Sequence, residues 1–209
     1  MNRFEVGIRR YLGAEELVKL RQVCIGIAGA GGLGSNCALM LVRCGFNRLT
    51  LADMDRVEPS NLNRQFFFLD QVGGWKVDML RDNLLAVNPD LTLTLYRERL
   101  HPGNVRRLLA DCQVIVEALD TAGDKKMMLE AFVNTEKLLV CASGISGWGN
   151  SDALTVHRIG TNVHVVGDLV SEAGDDFPPV APRVTLAAAK QADIILTHVL
   201  GKRFKPVKE

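Results

Sequence analysis

Val23-Cys24-Ile25-Gly26-Ile27-Ala28-Gly29-Ala30-Gly31-Gly32-Leu33-Gly34 is the stretch on which the fold turns. Residues 23–28 are apolar at nearly every position, the pattern of a strand buried on both faces of a parallel sheet. The strand runs into Gly29-x-Gly31-x-x-Gly34, and beyond the glycines Ser35 to Cys44 reads as a helix with Gly45 at its C-cap. Arg48 to Ala52 reads as a second strand, ending at Asp53. The unit is β-α-β, with backbone N–H groups and the positive end of a helix facing an anion. Asp53 lies 19 residues after Gly34, where an acid can accept hydrogen bonds from a ribose. A tight turn without a ligand would not need that second acid, so the spacing points to a nucleotide.

Outward from this unit the alternation continues. Ala14 to Arg21 predicts a short amphipathic helix before the first strand, and Lys76 to Val87 a helix stopped by Asn88-Pro89. Strands are expected at Thr92 to Tyr96, Val114 to Glu117 and Leu138 to Ala142, with helices at Asn104 to Leu109 and Lys125 to Asn134. The fold class is therefore α/β: a Rossmann-like, mostly parallel sheet with helices on both faces. In the last third, Asp152 to Ile159 and Asn162 to Val166 flank Gly160-Thr161, predicting a hairpin on a two-residue turn and an antiparallel C-terminal extension of the sheet. In that hairpin His157 would face His164, read as a plain surface pair. Gly167 to Arg183 is irregular, Val184 to Leu200 a closing helix, and Lys202 to Lys208 a basic tail.

The chain of 209 residues is expected to form one domain: an N-terminal helical arm over 1–22, a nucleotide-binding core over 23–150, and hairpin, crossing loop and helix over 151–209. Twenty-five basic residues against 24 acidic give a net charge of +1, which excludes a global field drawing the chain to nucleic acid or an anionic membrane. No apolar run approaches the roughly 18 residues that span a bilayer. Five cysteines without a C-x-x-C pair argue against a disulfide framework and a structural zinc, and fit a reducing cytoplasmic setting. Cys24, Cys37, Cys44, Cys112 and Cys141 read as buried structural thiols.

Which nucleotide is decided further along. A Walker-type loop would need Gly-Lys-Ser/Thr, but Gly34 is followed by Ser35-Asn36. A nicotinamide enzyme would want a proton-transfer group, and none stands out. Asp53-Met54-Asp55-Arg56-Val57-Glu58-Pro59-Ser60-Asn61-Leu62-Asn63-Arg64-Gln65 is instead a polar stretch after a strand end, and Lys76 opens a helix, where the macrodipole disfavours a cation. Asp120 follows a third strand and suits a hard cation such as Mg²⁺, although N-capping the next helix would also explain it. An anion loop, a ribose acceptor, two cations and a carboxylate are what displacement at a nucleoside triphosphate phosphorus requires.

These residues resemble the ubiquitin-activating-like adenylyltransferases, in the prokaryotic ThiF/MoeB-like branch. The motifs are Gly29-Ala30-Gly31-Gly32-Leu33-Gly34-Ser35, Asp53-x-Asp55-x-Val57-x-x-Ser60-Asn61-Leu62-Asn63-Arg64-Gln65, Val72-Gly73-x-x-Lys76-Val77 and Leu119-Asp120, over about residues 9 to 145. The resemblance implies attack by the C-terminal glycine carboxylate of a small ubiquitin-fold sulfur carrier (ThiS-like), ending in Gly-Gly, on the α-phosphate of Mg-ATP. Pyrophosphate leaves and an acyl-adenylate forms.

By matching position, Gly29, Gly31, Gly32, Gly34, Asp53, Asp55, Asn61 and Gln65 would hold ATP, Arg64 and Lys76 would neutralise its phosphates, and Asp120 would hold Mg²⁺. Arg10, or Arg9, would reach the other subunit's ATP in a homodimer. No pair of C-x-x-C motifs and no cysteine in Gly167 to Arg183 accompany this pattern, which fits the short ThiF-like form associated with thiamine biosynthesis. The alternatives are a superfamily member that adenylates a different carboxylate or a tRNA substrate, and a nucleotide-binding module without turnover.

Overall fold

The computed structural model describes residues 2–174 and 176–201. The basic tail expected at Lys202 to Lys208 lies outside the described residues. Among the described residues seven strands form one sheet: β1 (Cys24–Ala28), β2 (Arg48–Ala52), β3 (Thr92–Tyr96), β4 (Val114–Glu117), β5 (Leu138–Ala142), β6 (Thr155–Ile159) and β7 (Val163–Gly167). Their order is β3-β2-β1-β4-β5-β7-β6, parallel throughout except for the β6–β7 pair. The α/β class, the parallel sheet and the antiparallel C-terminal extension are as the sequence predicts.

Among the described residues seven α-helices accompany the sheet: α1 (Arg3–Ile8), α2 (Ala14–Gln22), α3 (Gly32–Arg43), α4 (Lys76–Val87), α5 (Val105–Leu108), α6 (Ala122–Phe132) and α7 (Ala181–Leu200). They bury apolar faces on both sides. Ile25, Ile27, Cys37, Leu41, Leu84, Ala187 and Ile195 belong to one core, and Cys24, Ala28, Leu108, Met128, Phe132 and Leu139 to the other. Strand β1 contributes to both because its side chains alternate across the sheet, which is why it reads as continuously apolar.

The helix starts differ from expectation for identifiable reasons. Helix α1 falls within the helical arm expected over 1–22, ahead of the helix placed there at Ala14 to Arg21; the signal for it is a capping box, in which Asn2 Oδ1 accepts from the Glu5 N–H at 2.9 Å and Glu5 Oε2 from the Asn2 N–H at 3.2 Å. Helix α6 begins at Ala122 rather than Lys125, because the Thr121 hydroxyl accepts from the Asp124 N–H at 3.1 Å and caps it. Helix α7 begins at Ala181, with Pro182 in its first turn.

The hairpin register is a correction. Ile159 pairs with Val163, so the connection is the three residues Gly160-Thr161-Asn162; His157 faces Val165, and His164 faces Arg158. The cause lies in Asn162. Its Nδ2 donates to the Lys137 carbonyl at 2.9 Å and also to the Thr135 carbonyl, holding it at the head of β5 and away from Ile159. The expected histidine pair does not form.

All five cysteines are free thiols, buried except for the half-buried Cys44, and the Sγ atoms of Cys24 and Cys112 lie 3.5 Å apart. Burial pushes the Cys37 thiol above its ordinary range and Cys141 up to about 12. Among the described residues no helix is long and apolar enough to cross a membrane.

Candidate nucleotide site

Sheet order reverses direction between β1 and β4: β2 and β3 lie to one side and β5 to the other. In open α/β sheets the crevice outside the strand ends at this point binds ligands. Gly29, Asp53 and Ala118 leave the carboxyl ends of β1, β2 and β4 there, and a cleft opens between them. Of the residues singled out from sequence, Gly29, Gly31, Asp53, Asp55, Lys76 and Asp120 line this cleft.

The glycine loop is tight by construction. Gly29 has φ +97°, a conformation that favours glycine, and a Cβ there would lie 2.5 Å from the Ala118 carbonyl oxygen. A Cβ on Gly34 would lie 1.8 Å from the Gly29 carbonyl oxygen, so the third glycine closes the strand-to-helix turn. Gly31 meets neither constraint: the nearest heavy atom to an added Cβ is Gln65 Nε2, at 3.9 Å.

Asp53 braces this loop as well as facing the cleft. Its Oδ2 accepts from the Ala30 N–H at 2.6 Å and its Oδ1 from the Asp55 N–H at 2.7 Å. Burial pushes its carboxyl above the ordinary value, opposed by those two N–H groups and by Lys76. A carboxylate offers about four acceptor sites, so two remain for a ligand hydroxyl.

Lys76 is the first residue of α4 and is buried, with Nζ 2.8 Å from Asp55 Oδ2. The adverse macrodipole at that position is offset by Asp55, whose side chain is half exposed. The ammonium is thus held at the cleft by a partner that solvent already supports.

Asp120 is exposed at the rim, and no hydrogen bond or ion pair to its carboxylate occurs among the described residues. Thr121 takes the N-cap of α6, so Asp120 is not spent on capping. The cleft is lined by five carboxylates, Asp53, Asp55, Glu98, Asp120 and Asp124, against two cations, Lys76 and Arg99. A bare polyphosphate would be repelled there, whereas one carrying a divalent cation would not. Oxygen donors of this kind suit Mg²⁺, with Asp120 the ligand left free. No group of three His, Cys, Asp or Glu side chains able to hold a metal occurs among the described residues, so the remaining ligands would come from phosphate and water.

Other predicted residues sit elsewhere. The Arg64 guanidinium does not line the cleft: its Nη1 donates to Asn63 Oδ1 at 2.8 Å and the Ser60 carbonyl at 3.2 Å. Its backbone is tied to α3 instead, with Asn36 Nδ2 donating to the Arg64 carbonyl at 2.8 Å. Asn61 is buried and closes its own turn, accepting from the Glu58 N–H at 3.1 Å. Gln65 is buried beside Gly31, and its Oε1 has no partner. Gly32 and Gly34 lie within α3, behind the loop. Arg9 caps the end of α1 and Arg10 is exposed beyond it; neither lines the cleft.

Glu98, Arg99 and Leu100, after β3, complete the wall without any motif in the sequence to mark them. Their placement comes from β3 lying beside β2, and from the buried Asn104, whose Nδ2 donates to the Arg99 carbonyl at 3.0 Å. The crossing loop between β7 and α7 passes near the same end. Asn63 Nδ2 donates to the Pro179 carbonyl at 3.2 Å, and the Gly147 N–H to Pro178 at 3.0 Å. Asp168 and Arg183 form an ion pair at its two ends, and Arg183 also reaches the Gly144, Gly149 and Asn150 carbonyls.

A glycine loop between β1 and α3, an acid at the end of β2 and a cleft at the reversal of strand order define an α/β protein of the nucleotide-binding, Rossmann-like class. Residues 5–203 match the ThiF family, and the chain belongs to that family. It is 31% identical over 200 residues to adenylyltransferase and sulfurtransferase UBA4 of Candida glabrata, covering 90% of this chain and 46% of the relative. It is 50% identical over 78 residues to ubiquitin-like modifier-activating enzyme 5 of Oryza sativa, covering 37% of this chain and 18% of the relative. The chain thus spans less than half the length of these curated relatives. Its fold is similar to that of Escherichia coli tRNA N6-threonylcarbamoyladenosine dehydratase, TcdA, solved with AMP, with a TM-score of 0.84, 20% identity and 93% of each chain covered. Escherichia coli MccB is also similar in fold, with a TM-score of 0.71 and 18% identity over 95% of this chain and 64% of that one.

Proposed function

We propose that this chain is an adenylyltransferase that uses Mg-ATP to activate the C-terminal glycine carboxylate of a small ubiquitin-fold carrier ending in Gly-Gly. The observation that carries the reading is the meeting of Gly31, Asp53, Lys76 and Asp120 around one cleft in a ThiF-family chain. Supporting it, a solved structure of the similarly folded TcdA contains ATP.

In this reading the glycine loop receives the phosphates on its N–H groups, Asp53 takes the ribose, and Lys76 neutralises negative charge on the phosphates. Asp120 holds Mg²⁺, which supplies charge neutralisation on the phosphate oxygens. A carboxylate oxygen of the carrier attacks the α-phosphorus, the bond from that phosphorus to the α–β bridging oxygen breaks, and pyrophosphate leaves. A C-terminal carboxylate has a pKa near ~3.5 and is ionised at neutral pH, so no general base is needed.

Arg64 joins the phosphates by turning from Ser60 and Asn63, an inexpensive change because both bonds lie at the surface. Arg10, remote from its own cleft, acts across a homodimer. The adenylating domain works in a cytoplasmic setting, and the ThiS-like carrier of thiamine biosynthesis is the first substrate to try.

ATP–pyrophosphate exchange tests the reading. Exchange that depends on a Gly-Gly-ending carrier and is lost in Lys76→Ala supports it; no exchange with any such carrier sinks it. A carboxylate borne by tRNA is the second reading, favoured by the coverage of 93% of both chains in the match to TcdA. Exchange stimulated by tRNA rather than by a carrier protein would select it, against the net charge of only +1.

A further inference from the structure

The ion pair between the buried Glu117 and the half-buried Lys125 has no part in the scheme above, yet it stands directly behind the rim of the cleft. Glu117 ends β4 and is fully buried, a costly place for a carboxylate unless its oxygens are satisfied. Lys125 Nζ lies 3.0 Å from each of its oxygens. Burial pushes the Glu117 carboxyl above its ordinary value, opposed by Lys125 and by the N–H groups of Leu119 and Ala142. This one side chain therefore joins the end of β4 and the turn after it to the first turn of α6.

The consequence falls on Asp120. The Leu119 N–H donates to Glu117 Oε1 at 2.8 Å, so the chain folds back on its own strand one residue before Asp120. Ala118 is held from the other side: its N–H donates to the Ala28 carbonyl at 2.9 Å, and its own carbonyl lies against Gly29, where a Cβ would come within 2.5 Å. No described side chain grips the Asp120 carboxylate, so its direction is set by this backbone alone.

We propose that Glu117 and Lys125 are positioning residues that hold the Leu119–Asp120 turn so that the Asp120 carboxylate faces the divalent cation of the bound nucleotide. The inference rests on the reading of the cleft as a Mg-ATP site. A carboxylate suits the task where an amide does not. Its two oxygens accept from the Leu119 N–H and from Lys125 together, whereas glutamine would turn one acceptor into a donor aimed at another donor.

The test is calorimetric titration of ATP into the full chain over a series of MgCl₂ concentrations, with thermal melting to verify folding. Glu117→Gln and Lys125→Met raise the Mg²⁺ concentration for half-maximal ATP binding by about tenfold or more, the scale of losses when groups supporting a metal ligand are removed. Affinity at saturating Mg²⁺ changes little. Lys125→Arg, which keeps the cation, stays near wild type, and Glu117→Gln combined with Asp120→Asn is no worse than Asp120→Asn alone. A merely structural pair would instead lower ATP affinity at every Mg²⁺ concentration and add to Asp120→Asn.

If Glu117→Gln does not fold, the comparison of Lys125→Met with Lys125→Arg carries the test, since the Lys125 side chain is 30% exposed. Folded variants with the Mg²⁺ dependence of the wild type overturn this proposal alone. A wild-type chain that binds no ATP, or binds it without regard to Mg²⁺, overturns the reading of the cleft and this proposal with it.

Discussion

Gly31→Ala separates the packing role of the glycine loop from its binding role. Gly31 is the N-cap of α3 with φ −82°, so its backbone does not demand glycine by a positive φ. An added Cβ has only Gln65 Nε2 near it, at 3.9 Å, which is ordinary van der Waals contact. Alanine is a poorer N-cap than glycine, and the fold should lose no more than about 1 kcal/mol, or roughly 2–4 °C in Tm for a domain of this size. A phosphate approaching the loop N–H groups would meet the new methyl directly. Overpacking of that kind costs about 1–3 kcal/mol, a weakening of Kd by about 5- to 150-fold. Gly34→Ala has the opposite profile, because its Cβ would lie 1.8 Å from the Gly29 carbonyl oxygen, and it should cost about 3 kcal/mol or more. Calorimetry of Mg-ATP binding beside urea unfolding of both variants reads the two roles separately. A folded Gly31→Ala protein that binds Mg-ATP with wild-type Kd would refute the reasoning, since no phosphate could then approach that position.

Lys76→Met keeps most of the packing and leaves the half-exposed Asp55 unpaired. Stability should change by less than about 1 kcal/mol, while pyrophosphate exchange falls by about a hundredfold; equal exchange rates in the two proteins would remove Lys76 from the site. Burial alone would raise the Asp168 carboxyl, but the Ser171 and Val170 N–H groups and Arg183 outweigh it and hold it at about 2. Its folded pKa is thus depressed, so its contribution is present above the unfolded value of 3.8 and lost as pH falls towards about 2. Asp168→Asn should cost about 1–2 kcal/mol at neutral pH, allowing for solvent screening, and flatten the fall in urea midpoint across that window; an unaltered acid profile would count against the ion pair. Asn162→Ala deletes the donor that sets the hairpin register and should cost about 1–3 kcal/mol. Hydrogen exchange of the β6–β7 amides should quicken, and unchanged protection would show that Asn162 does not hold the register.

Most of the sheet could be read in advance because its strands are short apolar runs bounded by glycine, proline or polar residues. Apolar runs of that kind report burial on two faces, and β1, β2, β4 and β5 fall where they predict, while β3 is the half-exposed strand its alternation predicts. The hairpin register was less accessible. Gly160-Thr161 offers a two-residue turn, but Asn162 bonds to the Thr135 and Lys137 carbonyls, 27 and 25 residues away, and a local rule cannot see a partner at that distance. Within the site, Gly29, Gly31, Asp53, Lys76 and Asp120 were legible because each follows or opens an element in a recognisable spacing. Glu98 to Leu100 carry no such mark and reach the cleft only through the pairing of β2 with β3.

By itself, then, the amino-acid sequence determined the class of the sheet, the glycine turn and the supply of acids and cations at strand ends, because these follow from local periodicity and backbone sterics. The tertiary structure decided what those groups do to one another. Lys76 could be buried only because Asp55, 21 residues away, reaches its ammonium. Asp120 is free only because Thr121 takes the cap, and its direction depends on a carboxylate paired across a turn. Arg64 shares a motif with Asp53 yet lies outside the cleft, since adjacency in sequence does not fix where a long side chain finds its acceptors. Local energies choose the elements; charge pairing and hydrogen-bond satisfaction, which act between elements, choose the site.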